Sequence, residues 1–137
     1  MSRVIALDVG TKTIGVAVSD PLRLFAQPVQ TVKRRGVKKD TAVLIGLIQK
    51  YDADHVVVGL PLELDGTEER SCRLARQIGD SVGEASGLPV TYTDERFTSV
   101  EAERDLIAAG MSRKKRKDVI DQAAAMKILE RWLADQA

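Results

Sequence analysis

The chain has a single cysteine, Cys72, and a single histidine, His55. One cysteine excludes an internal disulfide and any multi-cysteine zinc site. With no histidine near it in sequence, Cys72 is also a poor thiol nucleophile. A lone histidine at the start of an apolar strand is ordinarily a packing or capping residue, so His55 receives no catalytic role. No apolar run approaches the roughly 20 residues of a membrane span, and the N-terminal MSRVIALDVG lacks a signal-peptide pattern. A cytoplasmic protein without membrane contact is therefore expected. No G-x-G-x-x-G follows the first strand, which argues against a dinucleotide-binding domain. There are no repeats and no low-complexity segments. Charge of one sign is also missing, since 21 basic residues balance 20 acidic ones in 137. The distribution is less even than the total: ten of the 21 lie in Lys33–Lys39 (KRRGVKK) and Arg113–Lys117 (RKKRK). Such blocks create anion-facing surfaces on a nearly neutral protein.

What is present is organised around Val4–Asp20, VIALDVGTKTIGVAVSD. Val4–Leu7 is continuously apolar, the pattern of a strand covered on both faces. Asp8 stands where that strand ends. Gly10 and Gly15 permit tight turning or close backbone approach, and Ile14, Val16 and Val18 alternate as a second, antiparallel strand. An aspartate there is commonly a turn residue, so any role for Asp8 depends on what joins it.

Phe25–Val32 reads as a third strand, with Pro28 at an edge or bulge because it has no N–H for a ladder. Val37, Thr41, Leu44, Ile45, Ile48 and Tyr51 mark a helix stripe. His55–Gly59 is a short apolar strand, and about Thr67 to Ser86 a helix containing Gly79 and Gly83, which either allow close packing or weaken it. Gly87 and Pro89 stop that helix. Val90–Thr93 is a fifth strand ending in Asp94 and Glu95. Thr98, with Glu101 three residues on, caps a helix stopped by Gly110. Arg113–Lys117 then falls in an interhelix loop, and Val119–Leu133 forms the last helix, with Asp118 as its cap. Isolated strands alternating with helices after a hairpin imply one 137-residue α/β domain with a mixed sheet.

Ligand sites in open α/β sheets lie beyond the carboxyl ends of the strands. Asp8 and one of Asp94 or Glu95 qualify, only one because side chains alternate faces. Asp121 is a third candidate, since Ala124 and Ala125 leave its helix face thin enough to approach the sheet. Three converging acids raise one another's pKa, a state relieved by a hard divalent cation such as Mg²⁺ or Mn²⁺, which serves phosphodiester hydrolysis. Arg113, Lys114, Lys115, Arg116 and Lys117 would then hold phosphates, with Lys12 and Arg96 as further contacts.

Four segments in order, LDVGTKTIGVAVSD with Asp8, VVVGLP at Val56–Pro61, TDERFTS at Thr93–Ser99 and DQAAA at Asp121–Ala125, resemble the YqgF family. These are bacterial Holliday-junction-resolvase-like proteins, also described as pre-16S ribosomal RNA nucleases. The resemblance implies a ribonuclease-H-like fold, a mixed five-stranded sheet flanked by helices, with a metal site of Asp8, Glu95 and Asp121. It thereby selects Glu95 over Asp94. It also implies processing of the 5′ end of pre-16S ribosomal RNA in ribosome biogenesis, with precursor RNA or a pre-ribosomal particle as partner. The alternatives are resolution of four-way DNA junctions, which a homodimer would suit better than a monomer, and a non-catalytic RNA-binding assembly factor. Asp8-Val9-Gly10-Thr11 also resembles the phosphate turn of actin-like ATPases, but 137 residues supply only one of their two domains.

Overall fold

The computed structural model describes residues 2–60, 70–94 and 113–136, with side chains of the last segment described from Gln122 onward. Its elements are β1 (Arg3–Val9), β2 (Thr13–Ser19), β3 (Ala26–Lys33), α1 (Val37–Tyr51), β4 (Ala53–Leu60), α2 (Arg70–Ser86), β5 (Val90–Asp94) and α3 (Arg113–Gln136). The expected helix between Thr98 and Gly110, and the start of the helix expected from about Thr67, lie outside the described residues.

The strands form one five-stranded sheet in the order β3-β2-β1-β4-β5. β1 pairs antiparallel with β2 and parallel with β4, and β4 pairs parallel with β5. The first and fifth strands therefore run parallel with β4 between them, and their carboxyl ends share one rim. β3 is an edge strand, and its register slips where Ala17 meets Pro28. A proline is accommodated there because an edge bulge needs no donor from it.

Each face of the sheet buries a separate apolar layer. On one, Ile5, Leu7, Val9, Val56 and Val58 pack with Leu44 and Ile48 of α1 and Ile78 and Val82 of α2. On the other, Val4, Ala6, Ala17 and Val57 pack with Ala125, Ile128, Leu129 and Trp132 of α3. This split follows from strand alternation, odd residues of β1 going to one side and even residues to the other.

α2 presents Cys72, Ala75, Ile78 and Val82 to the core, with Leu74 at its margin. Cys72 is fully buried, as a small apolar residue would be. Its two glycines are there for close approach. A Cβ at Gly79 would stand 2.8 Å from Cε1 and 2.9 Å from Cζ of Tyr92, and one at Gly83 2.9 Å from Val90 Cγ2.

The last helix differs from expectation. It begins at Arg113, so the block Arg113–Lys117 forms its first turns instead of a loop, and Asp118 lies within the helix and not at its N-terminal cap position. The physical reason is propensity: arginine and lysine are good helix formers, and no glycine or proline interrupts the sequence after Gly110. Position 121 is consequently two turns into the helix. The four-residue spacing of Ile120, Ala124, Ile128 and Trp132 marks a core-facing stripe in the sequence; Ala124, Ile128 and Trp132 are buried, and the side chain of Ile120 lies outside the described residues.

Candidate functional site

Asp8 is the penultimate residue of β1, half-buried, on the face that α3 covers. Its cross-strand neighbour on β2 is Gly15. On the other side Leu7 pairs with Val58, so the next step of the parallel register sets Gly59 beside it. Asp8 thus lies between two glycines on neighbouring strands, in a strip where neither contributes a side chain. Since strands are spaced about 4.8 Å apart, the strip is wide enough for a small ligand over the carboxylate.

Two further relations fix this level of the sheet. Gly15 pairs with Thr31 on β3, and the Gln122 Nε2 amide donates to Thr31 Oγ1 at 3.4 Å. The helix residue adjoining Asp121 therefore stands at the row of Asp8. The small residues Ala124 and Ala125 are fully buried one turn on, which is how α3 comes this close. At the opposite edge of the sheet, the Arg131 Nη1 donates to the Asp94 backbone carbonyl at 2.9 Å, fastening the end of β5 to α3.

Strand alternation decides which face Asp94, the last residue of β5, belongs to. Thr91 faces α3, since its Oγ1 lies 2.8 Å from His55 Nε2 and the His55 ring packs, tilted, against Trp132. Tyr92 faces α2, where its hydroxyl bonds Asp80 and the Arg76 carbonyl. Asp94 has the parity of Tyr92, opposite to Asp8. Glu95 and Arg96 lie outside the described residues, as do the side chains of Asp121 and of Arg113, Lys114, Lys115, Arg116 and Lys117. Among the described residues no three acids, histidines or cysteines come together in a metal-binding group.

The turn after Asp8 is held from outside by a residue whose sequence context reads as a solvated basic block. Arg34 donates through Nη1 to the Gly10 carbonyl at 2.8 Å and through Nε to Asp40 Oδ2 at 2.7 Å. Its backbone N–H donates to the Lys12 carbonyl at 2.9 Å, and the Arg35 N–H to Asp40 Oδ1 at 2.9 Å. Asp40 is 1% exposed. A carboxylate that buried is tolerated because both oxygens are bonded and its partner is a guanidinium. Within the turn, the Gly10 N–H donates to the Thr13 carbonyl at 2.8 Å, and a Cβ at Gly10 would stand 3.1 Å from that oxygen. Lys12 remains exposed at the tip. The one available signal for Arg34 was its spacing of six from an aspartate in the first turn of α1.

At the opposite rim, Asp20 accepts the N–H groups of Leu22, Leu24 and Phe25 at 3.1, 2.8 and 2.7 Å. The Phe25 N–H, foremost among these, holds its carboxyl below the usual range.

A mixed sheet in this order, with helices on both faces and an acid at the end of its central strand, defines a ribonuclease-H-like α/β protein. The chain belongs to the RuvX family, described as Holliday junction resolvases, whose model matches residues 2–135; this is the YqgF family that its motifs resemble. It is 46% identical over 131 residues to a Myxococcus xanthus protein named "Putative pre-16S rRNA nuclease", covering 96% of this chain and 87% of the relative. A Streptococcus thermophilus protein of the same name is 46% identical over 134 residues, covering 96% of both. Among solved structures it resembles Thermus thermophilus RuvC in complex with a Holliday junction substrate, with TM-score 0.58, 18% identity and coverage of 100% and 97%. It also resembles the fowlpox virus resolvase in complex with Holliday junction DNA, with TM-score 0.60, 13% identity and 98% coverage of both. At such identities the likeness concerns the fold.

Proposed function

We propose that the chain is a divalent-metal-dependent nuclease that trims precursor 16S ribosomal RNA at its 5′ end during ribosome biogenesis. Asp8, Glu95 and Asp121 would hold Mg²⁺ or Mn²⁺. The observation that carries this reading is Asp8 in its glycine-flanked strip, at the carboxyl-end rim and level with the α3 residue next to Asp121. The pre-16S assignment comes from the names of relatives at 46% identity.

The donor chemistry fits the metal, since carboxylate oxygens are the ligands of hard cations. Bound there, such an ion would supply water activation and stabilise charge developing on the phosphodiester. The protein's own part is positional. β1, buried on both faces, fixes Asp8, and the Arg34 clamp fixes the turn behind it. Lys12 at the tip, Arg96 and the first turns of α3 would contact flanking phosphates without reading bases. α3 begins with five cations at the positive end of its dipole, an arrangement that a polyanion relieves.

Purified protein would be incubated with 5′-labelled precursor RNA carrying the 16S leader and either metal, beside a D8N variant. Wild-type protein should shorten the leader, and D8N should lose on the order of 100-fold or more in rate, the scale of removing a group that stabilises the transition state; equal cleavage by both sinks the assignment. The family description favours one second reading, resolution of a four-way DNA junction. A labelled junction in the same assay, cut faster than the RNA, would establish it instead. RNA retention with no cleavage in any metal would indicate a non-catalytic assembly factor.

A further inference from the structure

The basic segment Lys33–Lys39 divides cleanly in the structure. Arg34 turns inward and is spent on Asp40 and the Gly10 carbonyl. Lys33, Arg35, Lys38 and Lys39 are exposed, and so is Lys12 across the turn. None of these five forms an ion pair within 4 Å among the described residues, in contrast to Arg34, which holds Asp40. They are not loosely attached to the rest. Lys33 pairs with Thr13 at the start of β2, and the Arg34 N–H bonds the Lys12 carbonyl at 2.9 Å. The cations are therefore bolted to the turn that follows Asp8, at the same rim.

Their placement is electrostatically unfavourable in the isolated protein. Lys38 and Lys39 stand in the first turn of α1, where the helix dipole is positive; the acid of that turn, Asp40, is engaged by Arg34 and the Arg35 N–H, and Gly36 provides no side-chain cap. Like charges gathered at a positive helix end are a local conflict, the kind that sequences retain where a ligand resolves it. The ligand that resolves this one carries repeated negative charge at a spacing several cations can share. α1 also lies on the face opposite α3, so this surface is separate from Arg113–Lys117.

We propose that Lys12, Lys33, Arg35, Lys38 and Lys39 form a phosphate track for the substrate RNA strand on the β3–α1 side of the Asp8 turn. The proposal rests on the nuclease reading and names the strand's path through that site: over the β1–β2 turn, with basic surfaces on either face of the sheet. The track touches backbone phosphates, so it gives affinity and salt dependence without sequence preference.

Binding is measured without cleavage, by anisotropy of a 5′-fluorescein mixed-sequence RNA of about 30 nucleotides in EDTA, between roughly 50 and 200 mM salt. The variant K33A/R35A/K38A/K39A should raise Kd by about 10- to 100-fold. The slope of log K against log salt should become shallower by about 3, at roughly 0.7 for each single-strand phosphate no longer neutralised. A second variant, K38E/K39E, separates binding from folding, because acids suit a helix N-terminus. Its melting temperature should hold or rise while its Kd rises about tenfold or more. Wild-type Kd and slope in both variants would overturn the track. If those charge effects appear but wild-type protein cleaves no RNA, the nuclease reading fails and the track stands. If cleavage is intact and binding is indifferent to both variants, the track fails alone.

Discussion

Replacing Asp40 by asparagine tests whether the Arg34–Asp40 pair is structural ballast or the fastening of the Asp8 turn. The substitution keeps volume and an acceptor for the Arg35 N–H, but removes the charge and sets an amide NH2 where Oδ2 accepted the Arg34 Nε–H. Arg34 is then left with its guanidinium side chain 12% exposed and no carboxylate. Removing one partner of a buried pair costs about 3–5 kcal/mol, because the other charge stays desolvated. Unfolding carries roughly 2.1 cal/mol/K per residue, or about 0.29 kcal/mol/K for this chain. The melting temperature should therefore fall by about 10–17 °C, read by reversible thermal unfolding and checked by the urea midpoint. The double variant R34M/D40L leaves no charge to strand, and should recover at least half of that loss. Metal-dependent RNA cleavage should stay low in the double variant, because the Gly10 carbonyl has lost its anchor. A fall of less than about 3 °C for Asp40→Asn, or two single variants whose losses simply add in the double, would refute the reasoning.

Two glycines in helices should respond in opposite senses to alanine. Gly46 is exposed in α1, and nothing lies within 4 Å of where an added methyl would stand, so Gly46→Ala should stabilise by about 1 kcal/mol in urea unfolding. Gly79→Ala gains the same propensity but pushes Tyr92 off Asp80 and the Arg76 carbonyl, which share its one hydroxyl proton; a hydrogen bond to a charged group is worth about 1.5–3 kcal/mol, so the change should be net destabilising. The phenol's pKa, raised by burial and then by Asp80, should return toward its ordinary 10 in that variant, measured by ultraviolet titration. His55 is held below its ordinary 6.5, first by burial and then by the charge of Arg23. The unfolded chain thus takes up the proton first as pH falls. Stability that is complete above 6.5 should decline as pH drops through 6.5 toward the lowered value. His55→Gln should remove that part of the slope between about pH 7.5 and 5.5. An unchanged slope would remove burial of the imidazole as its cause.

Much of the fold was legible because period and punctuation agreed. The α1 limits, Val37 and Tyr51, coincide with the apolar stripe, and the bulge sits at Pro28, whose missing N–H announces it. The limits of α3 were not legible, because a run of five cations reads as a loop although each of them favours helix. Strand order was beyond the sequence as well: nothing in HVVVG says that it separates β1 from β5. That one fact decides the neighbours of Asp8, and Gly59 gained significance only through it. For the site, Asp8 was a candidate from its place at a strand end and Asp121 from the paired alanines after it, while resemblance alone chose Glu95 over Asp94. Arg34 was hidden by its company, being one of five basic residues in seven, and only burial distinguishes it from the four that face solvent.

Among the described elements α3 is the last to be synthesised, and it supplies the cover for Val4, Ala6, Ala17 and Val57. The helix that closes this apolar layer also carries position 121, so sealing one face of the sheet and setting the third proposed acid are a single folding event. A change that loosens α3, such as Leu129→Ala at a fully buried position, therefore acts on stability and on the proposed metal site together.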